Sequence, residues 1–210
     1  MNIMDIKLEG CSTFILKFNW FAVVIILILI LVISFFIRQS VNFANRKSVT
    51  VEEVSLGIGK SSVKLSYNKK DQEIAYKIWV ELSTRKIGLR FDQENDVIKE
   101  VYDSWYKFFG ITRELLEDIP ATRITYAGDL IKLTERVLNI GLRPHLTKWQ
   151  AKYRRWYEKE LKRDREGTPQ DIQKRYSEYD ILVKELIETN EKMIEYKKLM
   201  KKIAFGNDMN

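Results

Sequence analysis

The spacing of apolar positions changes twice along this chain of 210 residues, and each change marks a different kind of element. Between Lys17 and Arg38 there is neither charge nor period: residues 18–37 are all apolar except Asn19 and Ser34. A helix of that length rises about 30 Å, the thickness of a bilayer's hydrocarbon core, and satisfies its own backbone polar groups where lipid cannot. The run predicts a single transmembrane helix, with Trp20, Phe21, Phe35 and Phe36 near its ends, where aromatic rings settle. It exceeds the apolar core of a secretory signal, and residues 38–44 offer no small-x-small cleavage pattern. Arg38, Arg46 and Lys47 behind it outnumber Lys7 and Lys17 ahead of it. By the positive-inside bias the C-terminal part faces the cytoplasm from the inner membrane. Residues 1–17 form a short N-terminal segment and 38–47 a stalk.

From residue 48 the apolar period becomes two. Residues 48–56 are rich in β-branched side chains, and Val63, Leu65 and Tyr67 alternate with Lys64 and Ser66. With Gly57 and Gly59 between the two runs, residues 48–67 read as a β-hairpin, which must pack on something to be stable.

From Asp71 onward the period is helical. Asp71 reads as an N-cap ahead of Ile74, Ile78 and Leu82, with Gly88 as the stop. Val97, Val101, Trp105 and Phe108 predict a helix over 94–109, ended by Gly110; Thr112 caps a short helix that Pro120 ends. A further helix covers 124–140 and closes at Gly141. Pro144 then opens a long helix over 143–165, with Leu146, Trp149, Tyr153 and Trp156 on its apolar face. After Gly167-Thr168-Pro169, an amphipathic helix over 177–204 places Leu182, Leu186, Met193, Tyr196, Met200 and Ile203 at 3-4 spacing. That spacing is a seam for another helix, supplied either by the same chain or by a second one. The fold class is mainly α: a transmembrane helix followed by a helical-bundle domain, residues 68–210, bearing a small β-hairpin.

Charge changes this picture at one place. Of the net +7, residues 143–165 carry +6, and the rest of the chain is nearly balanced. Arg143, Lys148, Lys152, Arg154, Arg155, Lys159, Lys162 and Arg163 are interleaved there with Trp149, Tyr153, Trp156 and Tyr157. Three uses fit. The basic face is merely solvated, or it lies on anionic lipid heads, or it contacts the phosphates of nucleic acid or a nucleotide.

Candidate chemistry is sparse. Cys11 is the one cysteine and His145 the one histidine, so neither a disulfide nor a cysteine-based zinc site is available. Cys11 near the membrane suits acylation or a small apolar packing role. Gly57-Ile58-Gly59-Lys60-Ser61-Ser62 resembles the end of a phosphate-binding loop, but Val54 stands where its first glycine belongs and a strand follows. Asp92, Glu94 and Asp96 ahead of Lys99 and Glu100 could seat magnesium in a nuclease, although acids at a helix start already suit its dipole. No catalytic residue, cofactor or metal is expected.

The stretch Ala75-Tyr76-Lys77-Ile78-Trp79-Val80-Glu81-Leu82-Ser83-Thr84-Arg85-Lys86-Ile87-Gly88-Leu89 is followed by Asp96-Val97-Ile98 and Tyr102-Asp103-Ser104-Trp105-Tyr106-Lys107-Phe108-Phe109. With Gly141-Leu142-Arg143-Pro144-His145-Leu146-Thr147-Lys148-Trp149-Gln150, these residues resemble an uncharacterised family of small bacterial proteins over most of 62–205. The resemblance implies a bacterial source and carries over no catalytic residue. A place among membrane-associated phage-defence components would suit a small tethered domain. The expected function is a membrane-anchored, non-enzymatic interaction or sensor module that binds a protein partner or itself. The alternative is a tethered nucleic-acid binder or nuclease acting through 143–165.

Overall fold

The computed structural model describes residues 4–8, 14–18, 20–44, 47–121 and 124–206, and divides into two units, residues 1–46 and 47–210. In the first unit β1 (Met4–Leu8) pairs antiparallel with β2 (Phe14–Phe18), from Met4 opposite Phe18 to Leu8 opposite Phe14. The helix α1 (Trp20–Ala44) follows. Three expectations change here. The N-terminal segment contains a hairpin, Phe18 belongs to a strand, and helix continues through the stretch read as a stalk as far as Ala44.

The expectation of a transmembrane helix is also corrected. Among the described residues, no helix is long and apolar enough to cross a membrane. Cys11 lies outside the described residues.

The second unit opens with β3 (Lys47–Glu52), which pairs antiparallel with β4 (Ser62–Tyr67) in a register that sets Val49 opposite Leu65 and Val51 opposite Val63. The strand expected to reach residue 56 stops at Glu52. Residues Glu53–Leu56 instead form one helical turn, α2, because Glu53 turns inward to the Arg136 guanidinium and Gly57 reverses the chain at φ 66°. A side chain on Gly57 would need that left-handed conformation and would meet Lys192 at 2.7 Å.

Helix α3 (Lys69–Thr84) starts three residues earlier than its pattern suggested. Asn68 is the N-cap, accepting from Lys70 and Asp71 N–H at 2.9 and 3.2 Å, while the Asp71 carboxylate accepts from Asn68 N–H at 2.8 Å. After a 3₁₀ turn at Lys86–Gly88, α4 (Ile98–Glu117) runs straight through Gly110 and Thr112, which the sequence marked as a break. A buried glutamine from α7 (Pro169–Lys174) pins its start: Gln173 accepts from Ile98 N–H and donates to Asp96 C=O, both at 2.9 Å.

The break expected at Gly141 is absent as well. Helix α5 (Ile124–Arg136) passes through a π-helical segment, Val137–Leu142, directly into α6 (Arg143–Arg163). Pro144 has no N–H to give the α ladder, and the wider turn relieves its clash with the preceding carbonyl. Helix α8 (Tyr179–Phe205) closes the unit. It lies antiparallel to α3, with Gln72 donating to Ile203 C=O at 3.2 Å at one end and Asn190 donating to Ile87 C=O at 2.9 Å at the other. Leu182, Leu186, Met193, Tyr196, Met200 and Ile203 are all fully buried within the unit. The seam is thus filled from within the chain and is not open to a second one.

Candidate functional site

Helix α6 divides its residues by burial in a way the sequence could only half specify. His145, Leu146, Trp149, Tyr153 and Tyr157 face inward and are buried, and Trp156 is half-buried. Their neighbours are other rings: Tyr102 and Tyr153 centroids are 6.2 Å apart, Tyr153 stacks on Tyr157 at 5.6 Å, and Tyr176 of the α7–α8 connection meets Tyr153 edge-on at 5.3 Å. Three of the four aromatic residues that interleave the basic ones, Trp149, Tyr153 and Tyr157, are therefore core and not free to stack on exposed bases.

The single histidine belongs to this core. His145 Nε2 is 3.0 Å from Tyr102 Oη, and burial holds the imidazole down to about 4, with Lys148 and Lys192 lowering it further against the opposing pull of Glu185. Burial pushes the Tyr102 and Tyr153 phenols well above their ordinary range. A neutral imidazole bonded to a phenol and walled by Trp105 at 5.7 Å is a packing group.

The eight basic candidates fall into two sets. Those in the first half of α6 are engaged. Arg143 donates to Asn139 at 2.9 Å and lies 4.7 Å over the Phe109 ring. Lys148 pairs with Glu185 at 2.5 Å, and Lys152 with Glu178 at 3.1 Å while standing 4.0 Å over Trp149. Glu185 also accepts from the Trp149 indole at 2.7 Å, and its carboxyl is held below the usual range, first by Lys148 and then by Trp149. In the second half, Arg163 is 3.8 Å from Glu160, whereas Arg154, Arg155, Lys159 and Lys162 are exposed and form no ion pair or hydrogen bond among the described residues. Arg155, Lys159 and Lys162 are spaced i, i+4, i+7 and so share one helix face, with Arg154 beside them.

One residue that the sequence reading passed over completes this surface. Ile181 is 55% exposed, and it stands one turn from both Glu178 and Glu185, the two acids that tie α8 to α6. It falls outside the seam spacing, which was its one available signal. An exposed isoleucine between two ion pairs, with the unpaired cations continuing along α6 beyond the second pair, has the composition of a small apolar anchor with a charged rim.

The acidic group is structural. Asp92 accepts from the Asn95 side-chain amide at 2.8 Å and from Glu94 and Asn95 N–H at 3.0 and 3.1 Å, which together lower its carboxyl, while Asp96 pairs with Lys86 at 2.5 Å and Glu94 with Lys174 at 2.9 Å. Among the described residues, no group of three His, Cys, Asp or Glu could hold a metal ion. In the Gly57–Ser62 loop, a side chain on Gly59 would collide with the Glu53 carboxylate, which Ser61 and Arg136 hold in place. That loop is occupied by a buried carboxylate and has no helix N-terminus to offer an anion.

No protein-family model, curated protein or solved structure matches this chain.

Proposed function

We propose that the helical unit is a non-enzymatic interaction module that takes a protein partner on the α6/α8 surface formed by Ile181, Arg154, Arg155, Lys159 and Lys162. The observation that carries this reading is the unequal treatment of cations along one helix. Lys148 and Lys152 are neutralised within the fold, whereas the turns of α6 beyond the Lys152–Glu178 pair leave four exposed cations unpaired among the described residues, and Ile181 is exposed between the two ion pairs. Clustering like charges without internal partners raises the free energy of the isolated chain and is relieved by an acidic partner. The partner that fits is a protein surface with carboxylates at helical spacing and an apolar notch for Ile181.

Nucleic acid is the second reading, favoured by the arginine content of the row, since Arg is the bidentate phosphate donor. Burial of Trp149, Tyr153 and Tyr157 argues against it for single strands, because of the four α6 rings only Trp156 is even partly exposed for base stacking. The two readings separate on titration of the full chain with labelled duplex DNA and RNA at low and moderate salt. The protein-partner reading expects only weak binding that vanishes at moderate salt. Tight binding whose logarithm falls steeply with salt, and which is lost in Arg154→Glu/Arg155→Glu/Lys159→Glu, would replace it with the nucleic-acid reading.

A further inference from the structure

At the C-terminal end of α8, three rings from two elements meet on the surface of the helical unit. Tyr76 and Trp79 of α3 have centroids 6.0 Å apart, and Phe205 packs edge-on to them at 5.8 and 5.0 Å. Tyr76 is 47% exposed, and Trp79 and Phe205 are only half-buried. A cleft of about 450 Å³ beside them has Tyr76 and Ala204 in its wall and Lys69 and Lys77 on its rim. Lys201 is exposed one turn before Phe205. Lys69, Lys77 and Lys201 make no ion pair among the described residues, and Glu73 is the acid in the cleft lining.

The location of this patch matters as much as its composition. A Cβ on Gly206 would stand 3.7 Å from Lys47 Nζ, so the end of α8 adjoins the first residue of the unit. In sequence Lys47 follows the end of α1 after two residues. Apart from Ser34, the described side chains of α1 from Val23 to Ile37 are apolar, and they are exposed, a surface that water leaves uncovered only at high cost. Half-exposed Trp and Tyr rings with lysines around them are the composition found at the headgroup level of a bilayer.

We infer that this patch is a lipid-contact surface. Lys69, Lys77 and Lys201 meet the phosphates of anionic phospholipids, and Tyr76, Trp79 and Phe205 enter the headgroup zone. The contact is made by a surface and invokes no crossing helix. Each lysine close to an anionic membrane strengthens association by a factor of about 5. The assignment also moves lipid away from α6. Pairing of Lys148 with Glu185 and Lys152 with Glu178 sets α6 antiparallel to α8, so Arg155 to Lys162 run past the N-terminus of α8. The 27 residues of α8 separate that end from Phe205 by about 40 Å.

The test uses the full chain with Cys11→Ser and a polarity-sensitive dye on Tyr76→Cys, with Lys162→Cys as the distant comparison. Vesicles contain phosphatidylcholine alone or mixed with phosphatidylglycerol, with brominated acyl chains as quenchers. At position 76, the expected emission shifts to the blue and is quenched several-fold more in the phosphatidylglycerol vesicles; at position 162 it does not change. Lys69→Glu/Lys77→Glu/Lys201→Glu returns position 76 to its value in phosphatidylcholine. Where Tyr76→Cys disturbs folding, a dye on Lys77→Cys reports the same patch. Equal responses at 76 and 162, indifference to lipid charge, or failure of the chain to bind vesicles would overturn the inference. A shift produced by glycerophosphate without vesicles would assign the lysines to a soluble phosphate and overturn it too. The inference does not rest on the partner reading of α6, and the two fail separately.

Discussion

Tyr102 Oη and His145 Nε2 are 3.0 Å apart inside the aromatic core, joining α4 to α6 through one hydrogen bond between two buried side chains. The environment that makes this bond possible also discourages the charged imidazole. Burial carries His145 from its ordinary 6.5 down to about 4. Between those values the unfolded chain binds a proton that the folded chain refuses, so stability is full above the unfolded value and falls as pH drops toward the folded one. The loss amounts to about 3 kcal/mol once both forms are protonated. Urea unfolding of the full chain at pH 7 and near pH 4 should show this fall in the wild type and lack most of it in His145→Gln; equal pH dependence in both would remove the histidine from the account.

A matched pair of phenols gives a second expectation. Tyr153 Oη is buried without a hydrogen-bond partner among the described residues, whereas Tyr102 Oη holds His145. Tyr153→Phe should leave stability unchanged or raised, because it removes an unsatisfied polar atom. Tyr102→Phe should cost about 1–3 kcal/mol by orphaning the imidazole nitrogen. Thermal denaturation of the two variants checks the order, and the reverse ranking would mean that the two hydroxyls have been assigned the wrong surroundings.

The C-terminal seam makes a third. Leu186 and Met193 are fully buried within the unit, so Leu186→Ala should destabilise the fold by about 2–5 kcal/mol, the cost of a buried cavity. It should not change the sedimentation coefficient. Loss of an oligomer with no loss of stability would instead restore the seam to a second chain.

A fourth concerns the hairpin. Glu53 is turned inward to Arg136, which also donates to Ile58 C=O at 2.6 Å, and Gly59 leaves just enough room for that carboxylate. Gly59→Ala should displace Glu53 and speed hydrogen exchange in β3 and β4, and Arg136→Met should do the same. Glu53→Gln combined with Arg136→Met should recover part of the loss. Unchanged exchange in Gly59→Ala would show that the pair does not hold the hairpin down.

These residues also show what was legible in the sequence and what was not. The 3-4 spacing of Ile74, Ile78 and Leu82, of Trp105 and Phe108, and of Leu182 through Ile203 identified buried faces that the structure confirms as core. Stops were less reliable. Gly110 lowers helix propensity by only about 1 kcal/mol, which packing of Trp105 and Phe108 outweighs, so α4 continues. Gly141 and Pro144 look like punctuation, yet a π-helical segment lets one helix flow into the next. Glu53 read as part of a β-prone run because its partner, Arg136, arrives from a distant helix. The same holds for the candidate surfaces. The charge on α6 was visible, but which cations stay unpaired depends on Glu178 and Glu185 of α8. The Tyr76–Trp79–Phe205 patch has no local pattern, because it exists only where α3 and α8 meet.

The central claim, that the α6/α8 surface receives a protein partner, is tested most directly by photo-crosslinking in living cells. A photoreactive residue replaces Ile181 or, as the comparison, Tyr106 in the full chain, each with and without Arg154→Glu/Arg155→Glu/Lys159→Glu. The account predicts a discrete adduct from position 181 that survives nuclease treatment, disappears in the charge-reversed chain and does not form from position 106. An adduct removed by nuclease, or equal adducts from 181 and 106, or one indifferent to the charge reversal, would contradict it.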